Sequence, residues 1–248
     1  IFLGNRPRSR YHYQGKPPVT AGLALQGNFM EVLSNIQKNL DDFKLDTLKL
    51  DDFLTGTRVS YSFFKQKFPE VEQEFSAKER SETEVEGMEI FKKLNNSVSG
   101  YEVEIIKYCF INTIARTDVF LNDIADSIYL WKKPNLADKK RSKELLNFSH
   151  WSFKRKLEHL ETEFSLVFPE IQEKLDVIME IFSTRNLLLH NNGIVNETYL
   201  KLNKDTGHEI GDKRVVTEDY FKLTIVLSII IAKSIEQQIN VDAEILQK

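Results

Sequence analysis

The chain has little cysteine, no excess of basic residues and no long apolar run, and each lack narrows its possible functions. Cys109 is the only cysteine in 248 residues, so an internal disulfide and a multi-cysteine zinc site are both excluded, and a reducing, cytoplasmic compartment is expected. The formal net charge of −3 argues against a globally basic nucleic-acid-binding protein but permits a local basic patch. The longest apolar run, LTIVLSIIIA at 223–232, is far shorter than the ~20 residues of a membrane span. We therefore expect no contact with a membrane.

Common enzyme signatures are also missing. The sequence has no GxGxxG, P-loop, HExxH or GxSxG motif. Four histidines have no partner at metal-ligand spacing: His12, His150, His159 and His208. Neither a metal nor another cofactor is expected.

The apolar pattern predicts an all-α fold. From residue 29 onward, apolar residues recur every three to four positions, and the longest such stretch is 101–132. Pro69 is expected to end one helix and open another. Further helices are expected at about 142–166, from Pro169 to HNNG (190–193), and at 217–236 behind a Thr217 cap.

Two segments depart from this helical pattern. Residues 1–28 hold three of the six prolines and a cluster of Arg and Lys, which indicates a flexible basic arm. A linker is a simpler interpretation of this arm than an RNA-binding tail. After Gly193, which suits a left-handed turn, TYLKLN and EIGDKRVV alternate around KDTG, and this predicts a short β-hairpin or an irregular insertion.

The stretch TRNLLLHNNGIVNETYL (184–200) is the most informative one, because it joins an apolar helix to a polar turn. Asn186 and His190 are four residues apart and share a helix face. Arg185 and His190 are five apart, which separates them by ~140° on a regular helix. Fraying of the last turn, or a second copy of the chain, would be needed to bring them together.

Arginine and histidine are suited to phosphate chemistry. Arg185 would offer a permanent planar fork of donors to phosphate oxygens, and His190 could carry a proton near neutral pH. A base that takes the proton of an RNA 2′-OH, with a cation beside the phosphorane, suffices for cleavage without a metal. From composition alone, however, a basic helix end stabilised by the helix dipole is the favoured explanation.

A family resemblance favours a catalytic site over a merely structural helix end. RNLLLH resembles the R-N-x-x-x-H form of the motif of the HEPN superfamily, and RNLLLHNNGIVNETYL is similar to the extended pattern of one HEPN branch. The resemblance covers roughly 95–240 and is specific only around 184–200. It implies an all-α, HEPN-like helical bundle at 95–248, preceded by an N-terminal helical extension at 29–94. Many HEPN domains are metal-independent endoribonucleases of toxin–antitoxin and anti-phage systems, so RNA is the implied substrate and an antitoxin or defence protein a possible partner.

The resemblance also implies roles for individual residues. His190 would be the general acid or base, Arg185 would hold the scissile phosphate, and Asn186 would position both. A homodimer with facing motifs is implied. An acidic or polar residue of the long helix can contribute in this family, and the candidates are Asp118, which we prefer, Asn122 and Asp123. Asn191 and Tyr199 could line the groove, although a structural role is favoured for these supporting residues.

Other functions remain open. The domain could be a non-catalytic dimerisation and RNA-binding module, which would be favoured if Arg185 and His190 were buried and paired with carboxylates. Nucleotide sensing is a third reading, but no phosphate-binding glycine loop supports it. His150 and Trp151, with Lys154 and Arg155 one turn later, could stack on a base, but a half-buried amphipathic helix is the preferred interpretation.

Overall fold

The computed structural model describes residues 21–76, 81–203 and 207–246, apart from the side chains of 21–29, 91, 94–99 and 243–246. Across these ranges the protein is all-α, as predicted, with no extended strand. The described part of the chain forms eight helices: α1 (Ala21–Ser76), α2 (Glu82–Lys132), α3 (Asp138–His150), α4 (Phe153–Phe164), α5 (Pro169–Glu173), α6 (Leu175–Asn191), α7 (Glu197–Leu202) and α8 (Glu218–Leu246). None of these helices combines the length and apolar character needed to cross a membrane.

The two long helices, α1 and α2, lie antiparallel and pack against each other. They contain 56 and 51 residues, or about 84 and 77 Å at ~1.5 Å per residue. Four contacts between them run in opposite directions along the two helices: Phe43–Phe120, Asp46–Arg116, Arg58–Glu102 and Glu72–Lys92. Since α2 runs unbroken through position 94, the predicted boundary at 94/95 lies within a helix.

The predicted breaks within α1 are wrong. Pro69 lies inside this helix, which continues to Ser76 even though proline removes one backbone hydrogen bond. Phe68, only 7% exposed, shows that α1 is still packed at this point, and such packing can override local propensity. Residues 21–28, placed in the arm by the sequence, are also helical, whereas 1–20 lie outside the described residues.

The single helix predicted at 142–166 is also wrong, because the structure divides it. α3 ends at His150, and Ser152 caps α4 by accepting a hydrogen bond from the Arg155 backbone N–H. An N-cap residue has a non-helical backbone, so Ser152 interrupts the helix. The spacing of the apolar residues continues across it, and periodicity alone therefore does not reveal the break. The break leaves Trp151 at a corner between two helices.

The body of the protein packs α8 and the second half of α2 with the shorter helices. Its core is apolar and continuous, with fully buried residues that include Phe110, Ile124, Ile128, Phe148, Phe168 and Phe221. Thr217 caps α8 as predicted, its Oγ1 accepting from the Tyr220 backbone N–H at 3.2 Å. This packing fixes the position of α6, which carries the candidate motif.

The segment after α6 is not the predicted hairpin of TYLKLN with EIGDKRVV. Residues 197–202 form α7, capped by Asn196, whose side chain accepts from the Tyr199 backbone N–H at 2.9 Å. In the described residues, only an isolated antiparallel bridge joins Ile194 to Lys213. The alternating pattern is too short to specify a strand, and the Asn196 cap stabilises a short helix instead.

The turn after α6 depends on Gly193. Its φ is +79°, as the sequence predicted for a left-handed turn, and Asn192 before it has φ of 51°. The Gly193 carbonyl accepts from the Arg214 backbone N–H at 2.8 Å. A Cβ at Gly193 would lie 3.0 Å from the Arg214 carbonyl oxygen and 3.2 Å from Leu188 Cδ2. Both the backbone conformation and the available space therefore require glycine here.

We expect Gly193→Ala to lower the free energy of unfolding by about 1–3 kcal/mol, because it adds left-handed strain and a contact with a backbone oxygen that cannot move freely. Gly56→Ala is the matched control, since Gly56 lies within α1 with nothing within 4 Å of a new Cβ. That control should raise stability by about 0.5–1 kcal/mol. Urea denaturation measures both, and equal effects of the two substitutions would contradict the described turn.

Candidate functional site

The motif residues lie in the last turns of α6. This helix is anchored by a buried face made of Ile178, Ile181, Thr184 and Leu187. On the outer side, Asn186 and His190 are exposed and Arg185 is half-buried. The motif is therefore held on a packed helix while its polar groups reach the surface.

Helix α6 is regular through His190 and continues to Asn191. The structure therefore shows no fraying that would swing the histidine ring towards Arg185. At ~100° per residue, the two side chains stay ~140° apart around the helix axis. Fraying of the last turn, one of the two ways to unite them, is therefore not seen in this structure.

Arg185 and His190 line two neighbouring cavities. The first, which we call the basic groove, is lined by Asp118, His150, Trp151, Lys154, Arg155, Glu158, Arg185 and Asn186, among others. The second, the His190 cavity, is lined by Ser183, Asn186, His190, Asn191, Asn196 and Tyr199, among others. Asn186 borders both cavities and so lies between Arg185 and His190.

Neither motif side chain is neutralised by a carboxylate in the described residues. Arg185 Nη1 donates to Asn186 Oδ1 at 3.0 Å, while its buried Nε has no hydrogen-bond partner there. His190 is exposed and makes no hydrogen bond or ion pair within the described ranges. The arrangement expected of a purely structural pair, buried and satisfied by carboxylates, is absent from this part of the chain.

The three candidates on α2 occupy different places. Asp118 lines the basic groove, but its Oδ1 accepts from Lys156 Nζ at 2.6 Å. Asn122 Oδ1 accepts from the same amine at 2.9 Å. Asp123 lines a separate cavity between α1 and α2. Only Asp118 therefore shares a cavity with Arg185, and a cation already compensates its charge.

Lys156 was not identified from the sequence. Its side chain is charged yet completely buried. It lies on the buried face of α4, beside the apolar Phe153, Leu157 and Leu160. A lysine at an inward position of an apolar stripe was the available signal, because a buried charge needs a partner. Its partners, Asp118 and Asn122, come from α2 and could not be found from local spacing.

Asn191 and Tyr199 border the His190 cavity, but their polar groups serve the structure. The Asn191 side-chain amide donates to the Ile194 carbonyl and closes the turn. The Tyr199 side chain is buried, and its hydroxyl donates to Glu180 Oε1 at 2.5 Å. These contacts hold the turn and α7 in place.

A half-buried carboxylate, Glu180, gathers hydrogen bonds from several elements around the motif helix. Its oxygens accept hydrogen bonds from four side chains: Thr184 at 2.7 Å, Tyr199, Arg214 at 3.1 Å and Tyr220. Burial alone would raise the pKa of Glu180, but these hydrogen bonds and the Arg214 charge outweigh it and lower that pKa. Burial, with the neighbouring carboxylate, raises the pKa of Tyr199 and Tyr220, so both remain protonated donors.

The Glu180 cluster joins elements that are distant in the chain. It connects α6, α7 and α8 with the segment that carries Arg214. Further backbone hydrogen bonds join Val195 to Gly211 and Asp212, at 2.9 and 2.8 Å. The turn that follows His190 is consequently held by contacts from several elements.

No match to a known protein supplements this geometry. A scan against protein-family models, a search of curated proteins and a search of solved structures each found no match. Among the described residues, no group of three or more His, Cys, Asp or Glu side chains is placed to hold a metal ion. The HEPN resemblance therefore rests on residues 184–200 and remains a prediction.

We expect Glu180→Gln to destabilise the protein at neutral pH by on the order of 2 kcal/mol, because Arg214 loses its anionic partner in a half-buried site. The pKa of Glu180 is lower in the folded protein than its ordinary value of about 4.5. Its stabilising effect is therefore complete above that ordinary value and is lost as pH falls through the lower, folded value. The stability difference between wild type and Glu180→Gln should accordingly narrow in acid.

Chemical denaturation at several pH values between neutral and acid measures that difference. Glu89→Gln, which removes an exposed carboxylate on α2, is the control and should show little change at any pH. A difference between wild type and Glu180→Gln that widens in acid would contradict the assigned role of this carboxylate.

Proposed function

We propose that this protein is a metal-independent endoribonuclease. His190 takes the proton of an RNA 2′-OH, the 2′ oxygen attacks the adjacent phosphorus, and the bond to the 5′ oxygen breaks. That oxygen leaves with a proton supplied by water or by the protonated His190, and the products are a 2′,3′-cyclic phosphate and a 5′-OH. Arg185 stabilises the charge on the phosphorane oxygens.

The observation that carries this proposal is the state of the motif side chains. An exposed histidine and a half-buried arginine share the end of a rigid helix, and no carboxylate of the described residues pairs with either. The buried Nε of Arg185 has no hydrogen-bond partner among those residues, so this arginine keeps a donor for a ligand. A phosphate oxygen is a suitable acceptor for it.

The proposal includes a homodimer. Because Arg185 and His190 lie on different faces of α6, a composite site would take the arginine from one protomer and the histidine from its partner. Exposed apolar side chains border the motif, with Leu189 45% and Leu202 62% exposed. Leu202 lines both cavities, so a partner that covers this residue would lie directly over the motif.

In this account the protein acts on RNA in the cytoplasm as a toxin or anti-phage effector, with an antitoxin or defence protein as a possible partner. The support for this role is the resemblance of residues 184–200 to HEPN sequences. The substrate would be single-stranded or loop RNA, because its flexible backbone can place the 2′-OH in line with the leaving oxygen.

A non-catalytic dimerisation and RNA-binding module is the alternative. The observation that favours it is that Arg185 and His190 of one chain line separate cavities. If no second protomer completes the site, the two residues can still bind phosphates but cannot act on one scissile bond.

The test is cleavage of a single-stranded RNA in the presence of EDTA. We expect wild-type protein to cut it to cyclic-phosphate ends, and His190→Ala to reduce the rate by about 10²–10⁴-fold, the usual contribution of general acid–base catalysis. Arg185→Ala should also cause a large loss, because it removes the phosphate-stabilising cation. His208→Ala is the control and should leave the rate unchanged, since His208 lines neither cavity.

Equal cleavage by wild type and His190→Ala would show that the assigned mechanism is wrong. RNA binding by all four proteins without any cleavage would instead favour the non-catalytic module.

A further inference from the structure

The basic groove is a cavity of about 640 Å³ beside the motif, and neither the proposed proton transfer nor the phosphate contact uses most of it. Its volume falls in the ~300–1,000 Å³ range of small-ligand sites. It extends from Arg185 and Asn186 across α4 to the corner between α3 and α4. A ligand in it would therefore lie next to any phosphate bound at Arg185.

The corner presents a flat, cationic platform. The Trp151 indole packs edge-on against His159, with ring centroids 4.9 Å apart, and is tilted against Phe148 at 5.9 Å. The Arg155 guanidinium lies over the indole face, 4.5 Å from its centroid. The sequence predicted that these residues lie on one amphipathic helix. In the structure the helix breaks at 151–152, and the residues line a cavity.

Arg155 is available to a ligand. It is exposed, and no carboxylate within the described ranges forms an ion pair with it. Its guanidinium is already oriented by the indole beneath, so little side-chain entropy remains to be lost on binding. A planar cation with one face covered by an indole can accept a second flat ring on its other face.

The charge of the groove is suited to an anion, in contrast to the net charge of −3 for the whole chain. Three permanent cations line it, namely Lys154, Arg155 and Arg185, against the carboxylates of Glu158 and Asp118. Asp118 is already paired with the buried Lys156. The Lys154–Glu158 pair is 4.0 Å long with both side chains more than half exposed, so it holds Lys154 only weakly.

We propose that the basic groove binds one nucleotide of single-stranded RNA adjacent to the scissile bond, with its base stacked on the guanidinium of Arg155 over Trp151 and its phosphate held by Lys154. This inference rests on the proposed function for the identity of the ligand as RNA. It extends that function by assigning a base-binding subsite outside residues 184–200. Recognition by stacking accepts any base, because every base has a π face, so it predicts a preference for unpaired RNA rather than for one sequence.

The test uses a 2′-O-methylated single-stranded oligonucleotide, which can bind but cannot be cut by 2′-OH attack. Binding is thereby measured independently of catalysis. A matched oligonucleotide with the same phosphates and no bases serves as the ligand control. The protein variants are Arg155→Lys, which keeps the charge and removes the plane, Arg155→Ala, and Lys143→Ala, which removes an exposed cation on α3 outside the groove.

We expect Arg155→Lys and Arg155→Ala both to weaken binding of the base-containing oligonucleotide by about tenfold, within the usual effect of losing one stacked base. Lys143→Ala should bind like wild type. Wild type and Arg155→Lys should bind the abasic oligonucleotide equally, because only charge is then recognised. Binding of the base-containing oligonucleotide should also quench tryptophan fluorescence, since Trp151 lies directly under the platform.

Wild-type affinity in Arg155→Lys, or equal binding of the abasic and base-containing oligonucleotides by wild type, would overturn the base-stacking proposal. These outcomes are distinct from failure of the proposed function. A protein that binds as expected but does not cut unmodified RNA keeps the subsite and loses the catalytic mechanism. If the protein cuts RNA but Arg155→Lys binds the oligonucleotide as tightly as wild type, the catalytic mechanism stands and the base-stacking subsite is wrong.

Discussion

The candidate site depends on the half-buried carboxylate of Glu180. A carboxylate at this depth is stable only when its oxygens are hydrogen-bonded, and here the donors come from α6 itself, from α7, from α8 and from Arg214. Leaving a carboxylate oxygen or one of these donors unpaired would cost free energy, so the hydrogen bonds hold together four segments that are distant in the sequence. The backbone N–H of the same Arg214 donates to the Gly193 carbonyl, so this residue links the carboxylate to the turn after His190.

A rigid helix end has a direct consequence for the chemistry. Because α6 does not fray, Arg185 and His190 of one chain open into neighbouring cavities, with Asn186 between them. In the proposed mechanism, a single protomer would thus have a phosphate-binding half and a proton-transfer half that do not face each other. The proposal that two protomers complete one site accounts for this separation, for the lack of a carboxylate partner in the described residues and for the apolar rim at Leu189 and Leu202. In the same account the basic groove extends the phosphate-binding half towards the next nucleotide.

Sequence periodicity predicted the helical class, the capped start of α8 and the turn at Gly193, because each of these depends on neighbouring residues. It did not predict the continuity of α1 through Pro69, since packing against α2 offsets a local break. It also missed α7, whose six residues are too few for a helical period to be distinguished from alternation. The motif residues could be proposed from the sequence because arginine and histidine are suited to phosphate chemistry. The half-buried Glu180 and the buried Lys156 were not identified, because each is explained only by charged or polar partners that the fold brings to it.

The central claim is that Arg185 of one protomer acts with His190 of its partner. The most direct measurement is complementation between Arg185→Ala and His190→Ala, each inactive alone, coexpressed with different tags and purified as the mixed dimer. One of the two composite sites in that dimer contains both intact residues, so the account predicts about half of the wild-type cleavage rate. A mixed dimer that is as inactive as its parents would contradict the account.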